Sequence, residues 1–130
     1  EEMNQIIIEQ TGQGAQIIRF PGGSSNTVSA KYSRGIMSRL VKDVEARGFL
    51  YCDWNVSSGD AGSRPISTQQ VVQNVTEGMQ KNNVSIVLQH DIKEFSVNAV
   101  EQIIQWGLAE GYTFLPLSTS SPMSHHGVNN

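Results

Sequence analysis

Four short apolar runs alternate with segments of helical periodicity along this chain, and this alternation restricts the fold more than any other feature. The runs cover residues 16–20, 49–54, 84–89 and 112–115. The clearest one, Val84–Gln89, is short and rich in β-branched residues, as is typical of a parallel strand buried on both faces. Because each run follows a helical segment, the sequence predicts an α/β fold with parallel strands joined by right-handed helical crossovers.

Apolar residues at helical spacing predict four helices, each bounded by a capping residue or a glycine. They are residues 1–11, residues 36–48, the segment from the capping residue Ser67 through Met79, and the segment from the capping residue Ser96 to Gly111. The residues predicted to face inward are Ile6, Ile7 and Ile8 in the first helix, and Val97, Val100, Ile103, Ile104 and Leu108 in the last. Residues 118–130 are predicted to form an unstructured or loosely docked tail.

Length, charge and cysteine content exclude several classes of protein. The 130 residues allow one domain. A net charge of −3 with 16% charged residues does not favour nucleic acid or an anionic membrane as a partner. No apolar run approaches the roughly 20 residues that a membrane-spanning helix needs. Cys52 is the only cysteine, so the chain has no internal disulfide and no cysteine-based metal site.

Two polar strings, Arg19–Gly23 and Leu88–Asp91, each follow a predicted strand. Alternating strands and helices would bring both to the same end of a parallel sheet, where α/β folds carry ligands and catalysis. His90 is suited to give or take a proton near neutral pH, although a hydrogen-bonded structural histidine is the alternative. Arg19 is suited to bind a carboxylate through paired hydrogen bonds, and its alternative is a surface position beside a turn.

A third candidate cluster consists of Asp53, Trp54 and Asp60. One of the two carboxylates would bind the His90 ring and favour its protonated form, which an acid catalyst needs. The alternatives are ordinary ones. A tryptophan in a strand usually packs in the core, and an aspartate in a glycine- and serine-rich loop such as Ser57–Gly62 is common in turns.

Other known signatures are absent. Gly12-Gln13-Gly14 precedes a strand instead of following one, so it is not a dinucleotide-binding fingerprint. The sequence contains neither a Walker loop nor a Gly-x-Ser-x-Gly elbow. His125 and His126 are adjacent in a polar tail, where solvation is expected rather than metal binding.

Taken together, four strings resemble motifs of the polysaccharide deacetylases of the NodB-homology type, carbohydrate esterase family 4. In order, they are residues 19–26, 54–60, 86–91 and 111–117. The match runs across essentially the whole chain and is most similar to bacterial peptidoglycan N-acetylglucosamine deacetylases. The resemblance implies that residues 1–117 are the C-terminal part of a deformed, TIM-barrel-like (β/α) barrel and that residues 118–130 are a tail.

This family removes acetyl groups from N- or O-acetylated sugars, using water activated by a divalent metal, usually zinc. The resemblance implies that His90 is the general acid for the leaving amine, that Asp60 tunes it by hydrogen bonding, and that Arg19 holds the catalytic base. The substrate-binding residues that it implies are Trp54 and Leu88, as walls of the acetyl pocket, together with Pro21 and Gly22.

The sequence departs from the family in two respects. The motifs Thr-Phe-Asp-Asp and His-x-x-x-His, which hold the base and three metal ligands, do not occur in it and would lie upstream of Glu1. Ala61 stands where many members have a tryptophan, which affects the acetyl pocket. The chain by itself is therefore expected to be inactive and metal-free. The rival interpretation is a non-catalytic, glycan-binding remnant of the same fold.

The expected partner is an acetylated glycan such as peptidoglycan or a chitin-like polymer. By resemblance, the protein is expected to be exported to a bacterial cell wall or the extracellular space. A barrel without its first strands would expose unpaired strand edges, so the sequence also predicts self-association, domain swapping or pairing with the missing N-terminal part.

Overall fold

A computed structural model describes residues 2–130, while Glu1, which the sequence assigns to the first helix, lies outside the described residues. The described backbone separates into two compact units. The first unit extends to Asp53 and also includes Leu117–Asn130, and the second unit is Trp54–Pro116. Within residues 2–130, no helix combines the length and the apolar character that crossing a membrane requires.

The first unit pairs two short parallel strands beside two helices. Its elements are α1 (Glu2–Thr11), β1 (Ile17–Ile18), a 3-10 helix (Val28–Lys31), α2 (Ile36–Ala46) and β2 (Leu50–Tyr51). Ile17 and Ile18 of β1 lie opposite Leu50 and Tyr51 of β2. The buried core of this unit consists of Phe20, Met37 and Tyr51.

The second unit has a second pair of parallel strands and two helices packed on each other. Its elements are β3 (Val56–Ser57), α3 (Thr68–Gln80), β4 (Val87–Leu88) and α4 (Glu94–Ala109). Val56 and Ser57 lie opposite Val87 and Leu88. Because α3 presents apolar residues at four-residue spacing, they fall on one helix face and enter the core. That core comprises Val56, Val71, Val75, Met79, Ala99 and Ile103.

The predicted fold class, α/β with parallel strands, is confirmed. The predicted start of α3 is also confirmed. The Ser67 hydroxyl accepts a hydrogen bond from the backbone N–H of Gln70 at 3.1 Å, which satisfies one of the amides that the first turn leaves unpaired.

The predicted strand over residues 112–115 is wrong, because these residues form no strand in the described part of the chain. The backbone N–H of Tyr112 instead donates to the Gly107 carbonyl at 2.8 Å, and its ring packs on Trp106 at 5.4 Å. The segment is therefore tied to the end of α4. Conversely, no strand was predicted at residues 56–57, where β3 lies and where Val56 is flanked by Asn and Ser.

The inward faces of two helices also differ from the prediction. The described α4 begins at Glu94, two residues before the predicted cap Ser96, which is itself buried. The inward face of α4 consists of three small residues and one isoleucine, namely Ser96, Ala99, Gly107 and Ile103. Most of the residues that were predicted to face inward are exposed, namely Val97, Val100, Ile104 and Leu108 in α4 and Ile6 and Ile8 in α1.

Candidate functional site

Two strand ends bring a carboxylate and an imidazole together in the second unit. Because β3 and β4 are parallel, both chains leave the sheet at the same edge. The backbone N–H of Ser58 still donates to the Leu88 carbonyl at 3.1 Å, so the two chains remain side by side beyond the paired residues. Asp60 and His90 follow directly, and this places their side chains in contact.

The Asp60 carboxylate accepts three hydrogen bonds. One oxygen, Oδ1, lies 2.7 Å from Nδ1 of His90. The other oxygen, Oδ2, accepts from the backbone N–H of His90 at 2.7 Å and from the Ser96 hydroxyl at 2.5 Å. Asp60 is 2% exposed, whereas 30% of the His90 side chain is accessible. The carboxylate is therefore a buried support, and the imidazole is the part of the pair that solvent and ligands can reach.

These hydrogen bonds hold Asp60 in its ionised form. Burial by itself raises the pKa of this carboxyl, but hydrogen bonds from Ser96 and from the side chain and backbone of His90 outweigh that effect. The result is that the pKa of Asp60 is lowered from 3.8 to about 2. At neutral pH the carboxylate can only accept hydrogen bonds, so Nδ1 of His90 carries a proton. Proton transfer to or from a ligand is thereby assigned to Nε2.

The loop that carries Asp60 is also fixed by the start of α4. Lys93, the residue that precedes α4, donates from Nζ to the Asp60 carbonyl at 2.5 Å and to the Gly62 carbonyl at 3.2 Å. Ser96 lies in the first turn of the same helix and reaches the Asp60 carboxylate. α4 thus sets the backbone and the side chain of Asp60 together.

Sequence reasoning missed the contacts that Ser96 and Lys93 make with Asp60. Ser96 was interpreted as a helix cap, a role that serine commonly has, and Lys93 carried no motif. One signal was present in the sequence. Ser96 lies near the start of a largely apolar helix, and a serine on the buried face of such a helix needs a hydrogen-bond partner elsewhere in the chain.

Asp53 is not the partner of His90. Its carboxylate, 1% exposed, instead accepts hydrogen bonds from the backbone N–H of Ser24 at 2.8 Å, the Ser24 hydroxyl at 2.6 Å and the backbone N–H of His126 at 2.9 Å. His125 is exposed and His126 is half-buried, and both make contacts that the sequence did not predict. The His125 ring stacks on Tyr51 at 4.1 Å, and Nδ1 of His126 lies 3.2 Å from the Ser25 hydroxyl.

The remaining candidate residues fall in different places. Leu88 is half-buried in β4, where it lies opposite Ser57, and Trp54 is half-buried just before β3. Arg19, Pro21 and Gly22 belong to the first unit and are exposed. Their predicted roles in one site with His90 stay predictions.

The described residues do not fit a metal centre. Among residues 2–130, no three side chains of the His, Cys, Asp or Glu type lie close enough together to hold a metal ion. The contact between the accessible His90 ring and the buried Asp60 carboxylate is chemically suited to proton transfer.

The comparisons with known proteins agree with the sequence motifs, although no family model matches the chain. The resemblance is confirmed: in sequence and in fold, the chain is similar to part of the polysaccharide deacetylases of the NodB-homology type, carbohydrate esterase family 4.

The particular relatives are bacterial. The catalytic domain of peptidoglycan N-acetylglucosamine deacetylase from Eubacterium rectale ATCC 33656 is 77% identical, with a TM-score of 0.97 over 99% of this chain. A carbohydrate esterase family 4 esterase of Streptococcus mutans is 26% identical, with a TM-score of 0.62 over 85% of this chain. "Putative polysaccharide deacetylase YheN" of Bacillus subtilis (strain 168) is 26% identical over 88% of this chain. The chain spans 59%, 48% and 38% of these three proteins, respectively.

Proposed function

We propose that the protein containing this chain is a polysaccharide deacetylase that hydrolyses N-acetyl groups on peptidoglycan or a chitin-like glycan. The observation that carries the proposal is the contact between His90 and Asp60 at the ends of two parallel strands, with His90 partly accessible and Asp60 buried. The 77% identity to the E. rectale deacetylase domain supports the class of reaction. A peptidoglycan substrate would place the protein outside the cell, in the cell wall or beyond it.

Amide hydrolysis explains why a proton donor is needed. Water adds to the acetyl carbonyl carbon, and the C–N bond then breaks to release acetate and the free amine of the sugar. An amide nitrogen is a poor leaving group unless it gains a proton as the bond breaks, so a positioned acid accelerates this step. In the proposal, Nε2 of His90 donates this proton while Nδ1 keeps its hydrogen bond to Asp60.

Asp60 supports this step without touching the substrate. Its ionised carboxylate fixes the orientation and tautomer of the His90 ring and stabilises the imidazolium before the proton is given up. Ser96 and Lys93 hold Asp60 in place, as their hydrogen bonds indicate. The four residues therefore act as one proton-donating unit.

The remaining assignments rest on the resemblance. Arg19 would hold the aspartate that serves as base, Trp54 and Leu88 would line the acetyl pocket, and Pro21 and Gly22 would contact the glycan. Zinc or another divalent metal would activate water in the complete enzyme. Because the described residues hold no ligand group for a metal, the proposal assigns to this chain the acid part of the site only.

The test is release of acetate from N-acetylglucosamine oligosaccharides and from peptidoglycan glycan by the full-length protein. His90→Gln keeps a polar side chain but cannot act as an acid. We expect it to lower kcat by about 100-fold or more, within the range that a positioned acid contributes, with little change in KM. Thermal unfolding of the variant serves as the control for folding.

Two results would contradict the proposal. The first is a full-length protein that releases no acetate from any N-acetylated glycan yet still binds the oligosaccharides, which would favour the glycan-binding interpretation. The second is a His90→Gln variant whose kcat stays within threefold of the wild type, which would remove His90 from the reaction.

A further inference from the structure

A second buried carboxylate, Asp53, is not used by the proposed reaction. It joins two segments that are far apart in sequence: the loop of residues 20–26 and the last part of the tail, residues 124–130, which is called the tail below. From the loop it accepts both the backbone N–H and the hydroxyl of Ser24. From the tail it accepts the backbone N–H of His126. A carboxylate that is 1% exposed requires such donors, because an unpaired buried charge is costly.

The loop and the tail also contact each other directly. The Ser24 hydroxyl lies 3.2 Å from the His126 carbonyl, and the Ser25 hydroxyl lies 3.2 Å from Nδ1 of His126. The preceding tail residue, His125, stacks on Tyr51, and its Nε2 lies 3.0 Å from the Tyr51 carbonyl. The tail is thus held by side chains and by backbone groups over consecutive residues.

The far end of the tail reaches the start of α2. The Asn130 side-chain oxygen accepts from the backbone N–H of Gly35 at 2.7 Å, and its main-chain oxygen accepts from the N–H of Ser38 at 2.8 Å. The Asn130 amide group donates to the Ser29 hydroxyl at 2.8 Å. Gly35, the residue that precedes α2, has no side chain with which to cap the helix, so Asn130 supplies the acceptors.

These contacts enclose the segment that carries Arg19. On one side the backbone is fixed by strand pairing, since the Cys52 N–H donates to the Ile18 carbonyl at 2.9 Å. On the other side, Phe20 is buried and Ser24 is bound by Asp53. Arg19 therefore lies between two fixed points, one of which depends on the tail.

We propose that Asp53 is a positioning residue for Arg19. In this proposal the tail segment, residues 124–130, completes the set of hydrogen-bond donors around the Asp53 carboxylate by supplying the backbone N–H of His126. The role assigned to Arg19 rests on the proposed function, whereas the attachment of the loop to the tail through Asp53 does not. Asp53 acts through the loop Phe20–Asn26 and does not touch the substrate.

The test substitutes Asp53 by Asn in the full-length protein. Asn has nearly the same shape but only one oxygen, and its NH₂ group would face hydrogen-bond donors. Amide hydrogen exchange at Ser24 and His126 is expected to accelerate at least tenfold, while exchange at the α3 core residue Val75 stays within twofold of the wild type. That pattern means local loosening rather than global unfolding. Asp43→Asn, at an exposed carboxylate on α2, is the matched control and should change neither rate.

A double-mutant cycle with Arg19→Ala separates positioning from general stability. If Asp53 acts through Arg19, Asp53→Asn lowers kcat at least tenfold in the wild-type background but less than twofold in the Arg19→Ala background. Equal losses in both backgrounds would overturn the positioning role. Unchanged exchange at Ser24 and His126 in Asp53→Asn would overturn the attachment itself. A wild-type protein without deacetylase activity would refute the proposed function, and the exchange rates would still decide whether Asp53 holds the loop.

Discussion

The substitution Asp60→Asn tests the structure of the candidate site most directly. It keeps the size of the side chain but removes the charge and one of the two accepting oxygens. In the wild type these oxygens receive hydrogen bonds from Nδ1 and the backbone N–H of His90 and from the Ser96 hydroxyl. A single amide oxygen cannot satisfy all three donors, and the new NH₂ group would meet at least one of them.

The expected loss of stability follows from the pKa. Lowering the pKa of Asp60 from 3.8 to about 2 means that the fold stabilises its ionised form by about 2 kcal/mol. Leaving one buried donor without an acceptor costs a further ~1–3 kcal/mol. We therefore expect Asp60→Asn to lower the free energy of unfolding by roughly 3–5 kcal/mol at neutral pH, which urea denaturation will measure.

The expected loss of activity has a separate cause. Without the carboxylate, the His90 ring can turn away or leave Nδ1 unprotonated, and the imidazolium that must hold a proton on Nε2 loses the charge that stabilises it. We expect kcat for acetate release to fall by about 100- to 1,000-fold, within the contribution of a positioned acid. The measurement is made well below the unfolding midpoint of the variant, so that the folded fraction does not limit the rate.

Asp91→Asn is the matched control, since Asp91 is the exposed residue next to His90 and undergoes the same chemical change. It should alter neither kcat nor the free energy of unfolding by a measurable amount. The reasoning is refuted if Asp60→Asn retains kcat within threefold of the wild type, or if both variants lose activity equally.

Three further predictions concern stability. The fold lowers the pKa of Asp60, so the stability that its ionised carboxylate contributes is present above about pH 5 and is lost as the pH falls towards 2. Urea unfolding of the wild type at several pH values should show this loss, whereas Asp60→Asn should not show it. Gly78→Ala should lower the free energy of unfolding by about 1–2 kcal/mol, since the new Cβ would lie 2.5 Å from Cγ1 of the buried Val56. Gly107→Ala, where the new Cβ meets an exposed aromatic ring that is able to move, should lose less, and equal losses would contradict the packing argument. Asn130→Ala should reduce the unfolding free energy by about 1 kcal/mol through loss of a helix-capping acceptor, as thermal unfolding will show, and an unchanged midpoint would exclude that role.

Sequence patterns predicted the structure where neighbouring residues decide it. Ser67, Gln70 and the apolar residues of α3 lie within a few turns of one another, and the start of that helix is as predicted. The same reasoning failed for α4, whose larger apolar residues were expected inside. Close packing against α3 instead selects the small Ala99 together with Ile103, which periodicity alone does not distinguish.

The sequence identified two residues of the candidate site, His90 and Asp60, but not the role of Ser96. His90 was identified because it follows a strand, whereas Asp60 was preferred over Asp53 only through the family resemblance; the structure shows Asp60 in contact with His90. Ser96 was assigned to a helix cap because a serine hydroxyl serves equally well in a cap and in a contact with a distant residue. Only the three-dimensional arrangement decides between these two uses.

Contacts of the tail carry no local sequence signal. Asp53 and His126 are 73 residues apart, and Gly35 and Asn130 are 95 apart, so neither pair belongs to one periodic pattern. One indirect indication was available: α2 begins after a glycine that has no capping side chain, and its first amides therefore needed acceptors from elsewhere in the chain.

The parallel register of β3 and β4 has a consequence for changes in chain length. Ser57 lies opposite Leu88, and from these paired positions Asp60 and His90 are reached over two short connecting segments. Inserting or deleting one residue in either segment would move one side chain by about 3.3 Å along the strand direction, which is more than a hydrogen bond tolerates. Homologous proteins that keep this pair should therefore vary freely in the composition of these segments but not in their length. A natural variant with an insertion there would mark a protein in which His90 and Asp60 no longer form this hydrogen bond.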